Sequence, residues 1–176
     1  MECRSGCNVK LRCAGMVILS GPAAATARAA SATRPHVLLR YFALIGAGNL
    51  AWEFAQLPLY TIWQGASSGQ AAYAAVHCWI GDLLIAAACL GAVVLTTDRN
   101  WPTGSYLRTA TITTALGVVS TIVIEWVNAN VLSYWAYTPS MPTLPILGTG
   151  LSPLLQWLVL PPLAFFLGRP RRSENT

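Results

Sequence analysis

Glu53, Asp82 and Glu125 make up half of the six acidic residues of this chain, and each sits inside a long apolar run. Glu53 falls in "NLAWEFAQLPLY", residues 49–60, and is the one charge between positions 41 and 80. Asn49, Glu53 and Gln56 are spaced i, i+4 and i+7, which is one stripe of a helix. Glu125 and Asn128, at i and i+3, share a stripe in the same way. His77 and Asp82 are separated by about 140° around a helix, and Gly81 leaves room beside His77 for another helix to approach.

Carboxyl groups and an imidazole in low-dielectric surroundings suit general acid–base chemistry, one acid donating its proton while another accepts. On this reading Glu53 and Glu125 form the acid–base pair, and His77 and Asp82 act as a relay. Asn49, Gln56, Asn128, Trp135, Tyr137 and Gln156 bind and orient a lipid or isoprenoid, and tryptophan faces stabilise a cationic intermediate. A second reading makes the polar residues interhelical glue in a protein without enzymatic activity, each hydrogen bond contributing about 0.6 kcal/mol. Glue accounts easily for Asn and Gln and less easily for three acids and a histidine. The set Glu53, His77, Asp82 and Glu125 could also ligate a metal, but no Glu-x-x-His motif lies on one helix, and no metal ligands are assigned. A proton-coupled carrier with so few spans would have to dimerise, which keeps a homo-oligomer open. No cofactor is indicated.

The elements that must position these residues are membrane helices. The chain has 176 residues, 55% hydrophobic and 10% charged, where a soluble domain carries about 25% charge. A membrane helix needs roughly 20 mainly apolar residues, and four stretches qualify, at about residues 40–63, 71–96, 107–131 and 144–167. The links between them are short and rich in Gly, Ser, Pro and Asn, the residues of turns. The expectation is an all-α integral membrane bundle of four transmembrane helices over 37–168. The net charge of +5 does not point to nucleic acid, because the basic residues flank the apolar segments and form no patch. The links after the first and third spans contain no Lys or Arg. Arg99 lies between the second and third spans and Arg108 at the start of the third, Arg169, Arg171 and Arg172 follow the fourth, and the others lie in the leader up to the start of the first, at Arg40. By the positive-inside rule both termini are cytoplasmic.

Residues 1–36 read as a disordered basic leader and 169–176 as a basic cytoplasmic tail. The basic start and short apolar run of the leader also suit a cleaved signal or transit peptide. Cleavage would, however, leave Arg28, Arg34 and Arg40 outside, and Gly21-Pro22 interrupts the run. Cys3, Cys7 and Cys13 are spaced C-x3-C-x5-C, which is no standard zinc pattern, and they read as free thiols.

Counting inward from the outer ends at about 1.5 Å per residue, His77 and Glu125 lie near 9 Å and Glu53, Asp82 and Gln156 near 15–18 Å. Ser152 belongs to the same polar set. The expected result is a pocket opening to the outer half of the bilayer. Trp52, Trp126 and Trp157 directly neighbour polar residues, so they are expected to point about 100° away from them, toward lipid or packing. Trp63 and Trp135 suit the outer interface. The proline-rich link "WAYTPSMPTLPILGTGLSP" is expected to fold over the outer end of the bundle as a lid. Pro153, Pro161 and Pro162 then interrupt the fourth span, where freed carbonyls need partners or a cavity.

"NLAWEFAQLPLY", "HCWIGDLLIAAA" and "EWVNANVLSYWAYTPSMPTLPILGTGLSPLLQWLVLPPLA" resemble a family of small, uncharacterised bacterial four-helix inner-membrane proteins over about residues 40–168. The resemblance implies a multi-pass protein of the bacterial inner membrane, with the bilayer as its partner and no established activity. An acid followed by "WAY", proline and a Gly-rich turn is also similar, more distantly, to a pattern of membrane carotenoid cyclases and hydratases. That pattern continues to Pro-x-Glu-Glu, whereas this chain reads "SPLLQW" and has no acid pair there.

Overall fold

A computed structural model describes residues 22–97 and 99–170, with side chains from residue 28. Among them the chain is helical, with isolated bridges and no strand. The helices are α1 (Pro22–Gln56), the short α2 (Ile62–Gly65), α3 (Ser68–Thr96), α4 (Tyr106–Trp126) and α5 (Leu151–Gly168). Helix α1 packs on α3 and α5, and α4 packs on the same two, which closes a ring of four long helices. Three elements are long and apolar enough to cross a membrane: Ser68–Thr96, Tyr106–Val131 and Leu151–Gly168. Helix α1 has the length, at 35 residues, but Asn49, Glu53 and Gln56 dilute its apolar half.

Four boundaries or states differ from expectation, each for a local reason. Residues 22–36, expected to be disordered, belong to α1. Pro22 occupies a first helical position, where its missing N–H costs nothing, and the Ala-rich stretch that follows has the highest helix propensity. Residues 1–21, with their cysteines and the signal-peptide alternative, lie outside the described residues, as do 171–176. The first span ends at Gln56 instead of 63, and a 3-10 turn, Leu57–Leu59, follows it. Pro58 has no N–H to give to the Phe54 carbonyl. The fourth helix begins at Leu151 instead of 144. Residues 144–150 form a turn closed by Leu144 N–H to Thr149 O at 2.9 Å and Gly148 N–H to Leu144 O at 2.8 Å. Gly148 sits at φ 65°, the left-handed region where glycine has no Cβ penalty. Helix α3 starts at Ser68 instead of 71, on a capping box: Ser67 and Gln70 satisfy each other's backbone N–H groups, a reciprocal arrangement that sets the entry of the chain.

The hydrophobic core occupies the half of the ring nearer the α3–α4 link. Tyr41 and Phe165 rings meet at 4.6 Å, with Ile45, Leu90, Trp101 and Ala164 buried around them. Arg34 Nε donates to Trp101 O at 3.0 Å, and Arg34 Nη2 donates to Arg99 O. One guanidinium of α1 thus holds the α3–α4 link by its carbonyls. Arg34→Ala is expected to lower stability by about 1.5 kcal/mol, the low end for hydrogen bonds from a charged donor, while Arg34→Lys recovers part of it. Thermal melts in mild detergent measure both.

Candidate functional site

The polar stripe of α1 faces the interior as its spacing requires: Asn49, Glu53 and Gln56 are buried. On α4 the buried positions are Thr109, Thr113, Gly117, Thr121 and Glu125, a strict i+4 row that brings Glu125 to the same interior. Helix α5 contributes Gln156 and Trp157, both almost fully buried.

Gln156 is the hub. Its Nε2 donates to Asp82 Oδ2 at 2.7 Å and to Glu53 Oε1 at 3.3 Å, while Gln56 Nε2 donates to the same Glu53 oxygen at 3.0 Å. Trp157 Nε1 donates to Asp82 Oδ1 at 3.2 Å. The Glu53 and Asp82 carboxyls thus share one donor atom, Gln156 Nε2. A second chain runs from Trp52 Nε1 to Ser152 Oγ at 3.2 Å and from Ser152 Oγ to Gln56 Oε1 at 2.9 Å. These contacts tie α1, α3 and α5 together through side chains alone.

Glu125 has its own support. Tyr137 OH donates to Glu125 Oε2 at 2.6 Å. Burial, then the Glu125 carboxyl, hold the Tyr137 phenol well above the usual phenol range, so it remains a donor at any ordinary pH. Tyr137 is brought there by the link after α4, which returns against the end of α1. Thr61 N–H donates to Ala136 O and Thr138 N–H to Leu59 O, both at 2.9 Å, and Tyr60 and Tyr137 form an antiparallel bridge. Trp135 Nε1 lies beside the Tyr137–Glu125 pair, buried and without a well-formed hydrogen bond.

Between these two carboxyl centres is a cavity of about 770 Å³. Glu53, Asp82, Glu125, Gln56, Gln156 and Trp135 supply its polar wall, and the rest is mainly apolar. The exposed part of its lining includes Gln70, Tyr73 and His77 of α3 with Ile124 of α4 and Tyr134 of the link after it; Tyr73 and Tyr134 are each 73% exposed. Among the described residues no three His, Cys, Asp or Glu side chains come together as a metal set.

The structure therefore gathers most of the residues expected at the site, with a different division of labour. Asn49 is buried on the stripe but does not line the cavity, and Tyr137 sits behind Glu125. His77 is at the rim, its ring stacked on Tyr73 at 6.0 Å, while the hydrogen bonds of Asp82 run to Gln156 and Trp157. Asn128 turns its amide back to Ile124 O at 2.8 Å. Two tryptophans correct the expectation that they point away from polar neighbours: Trp157 serves Asp82 and Trp52 serves Ser152. Angular spacing on one helix could not show this, because the acceptors sit on other helices. Trp126, 42% exposed, does face outward. The i+4 row of α4, small residues ending in an acid, is the sequence signal for its buried face.

By its fold and site the chain is a helical bundle with membrane-length helices and a carboxyl-rich cavity. Comparison with protein-family models, with curated proteins and with solved structures finds no match in any of the three.

Proposed function

We propose that the chain spans a bacterial inner membrane four times, with both termini cytoplasmic, and that its cavity binds a lipid or isoprenoid and acts on it by acid–base chemistry. The cavity carries this reading: three carboxyl groups converge on about 770 Å³ of mainly apolar space. The fourth span is α1, whose polar stripe is turned into the bundle and away from lipid. The placement of Arg34, Arg99, Arg108 and Arg169 at one end supports the orientation by the positive-inside rule. Two carboxyl groups as close as Glu53 and Asp82 hold one proton between them more readily than two charges, which makes the pair a proton donor and acceptor in one. Glu125, aligned by Tyr137, faces it across the cavity.

The Gln156 fork and the Trp52–Ser152–Gln56 chain favour a second reading, in which the network holds helices together and no chemistry occurs. Mass spectrometry of what co-purifies in mild detergent separates the two. A defined lipid or isoprenoid bound to the wild type and lost from a folded Glu125→Gln variant supports a site. Bulk membrane lipid alone in both samples rejects it.

A further inference from the structure

Resting on that reading of the cavity, we infer that its ligand is an uncharged lipid whose polar end is a hydroxyl group, entering between the outer halves of α3 and α4. The argument is one of donors, acceptors and charge. Three carboxyls line the cavity, and no Lys or Arg does so among the described residues. Arg40, Arg99, Arg108 and Arg169 each lie at least about 20 Å along the chain's own helices from the cavity's carboxyls and its Gln156 amide. A phosphate head would meet negative and acceptor groups with no cation to offset them, in surroundings where charge is weakly screened.

The wall also offers a donor. Trp135 Nε1 is buried, lines the cavity and makes no well-formed hydrogen bond, and an indole N–H can only donate. Its neighbour Glu125 already accepts from Tyr137 on Oε2 and has acceptor capacity left. A group that accepts from Trp135 and donates to Glu125 fits both. A hydroxyl does this; an ammonium only donates, and a phosphate dianion only accepts. The mouth has the matching character. Tyr73, Ile124 and Tyr134 are exposed there, so an apolar tail can lie along the α3–α4 opening while its head is inside.

The test uses the full chain in mild detergent with farnesol, farnesyl phosphate and farnesylamine, which differ only at the head. Binding is read by native mass spectrometry and calorimetry, and folding by circular dichroism. Farnesol is expected to bind at least about tenfold more tightly than the phosphate, which meets carboxyls with no cation beside them, and more tightly than the amine, whose ammonium cannot accept from Trp135 Nε1. Trp135→Phe, which keeps the ring and removes the N–H, is expected to weaken farnesol about fivefold or more. Equal or tighter binding of the phosphate or the amine overturns the hydroxyl assignment while leaving a lipid site in place. An unchanged farnesol affinity in folded Trp135→Phe overturns the role of the indole. No binding of any of the three to folded wild type overturns both this inference and the lipid-site reading beneath it.

Discussion

Gly117→Ala lowers the stability of the bundle by about 2 kcal/mol, a steric cost of about 3 kcal/mol, at the top of the usual overpacking range, less the helix propensity that alanine gains. A Cβ at this position would lie 2.2 Å from Trp157 Cε3 and 2.3 Å from Cζ3. The indole cannot step aside cheaply, because it is 2% exposed and its Nε1 is held on Asp82 at 3.2 Å. Alanine gains about 1 kcal/mol over glycine in helix propensity, so the steric cost must exceed that to show. The contrast is Gly91→Ala on α3, where nothing lies within 4 Å of the added methyl and propensity alone predicts a neutral or slightly stabilised protein. Melting the two variants beside wild type in the same detergent decides the matter. Equal midpoints for Gly117→Ala and wild type would show that Trp157 is free to move.

The second large effect is at the hub. Gln156→Leu conserves approximate volume and removes the Nε2 that bridges Glu53 and Asp82. Two buried carboxyls then face each other with fewer donors, and leaving buried acceptors unserved costs about 1–3 kcal/mol, more where charge is involved. About 3 kcal/mol is expected. Asp82→Asn in the Gln156→Leu background should return part of that loss, because it replaces one of the facing acids by an amide that can donate. A double-mutant cycle measures the coupling. Strict additivity of the two changes would mean that the bridge stabilises neither carboxyl.

Helical periodicity alone placed the interior of this protein well. The stripe of Asn49, Glu53 and Gln56 and the position of Glu125 follow from spacing along single helices, and each is buried as spacing requires. Partners were less accessible. Gln156 bridging Glu53 to Asp82, or Trp157 reaching Asp82, depends on how α5 is rotated and shifted against α1 and α3, and no single-helix pattern contains that. Ends were read from hydropathy, which extends a span through any apolar loop. Leu57 to Trp63 and Leu144 to Leu147 are apolar enough to pass for helix, and backbone chemistry at Pro58 and Gly148 stops them. The leader shows the converse error, since Ala and Arg stretches lack hydropathy yet propagate a helix already begun.

After Trp126 the chain makes one π-turn, Val127–Val131, with Leu132 N–H donating to Val127 O at 2.8 Å. Such a turn amounts to a single residue inserted into an α-helix. Removing one residue there, Ala129 for instance, would let the turn close with α pitch and keep the chain beyond it in phase; a second deletion, with no wide turn left to absorb it, would swing everything beyond it by about 100° around the axis. Tyr137 would lose Glu125, Trp135 would leave the cavity wall, and the Thr61–Ala136 tie would come out of phase. The architecture at this end of the bundle thus depends on residue count as well as residue type: a lineage could keep every side chain that lines the cavity and still lose the cavity by shortening this turn twice.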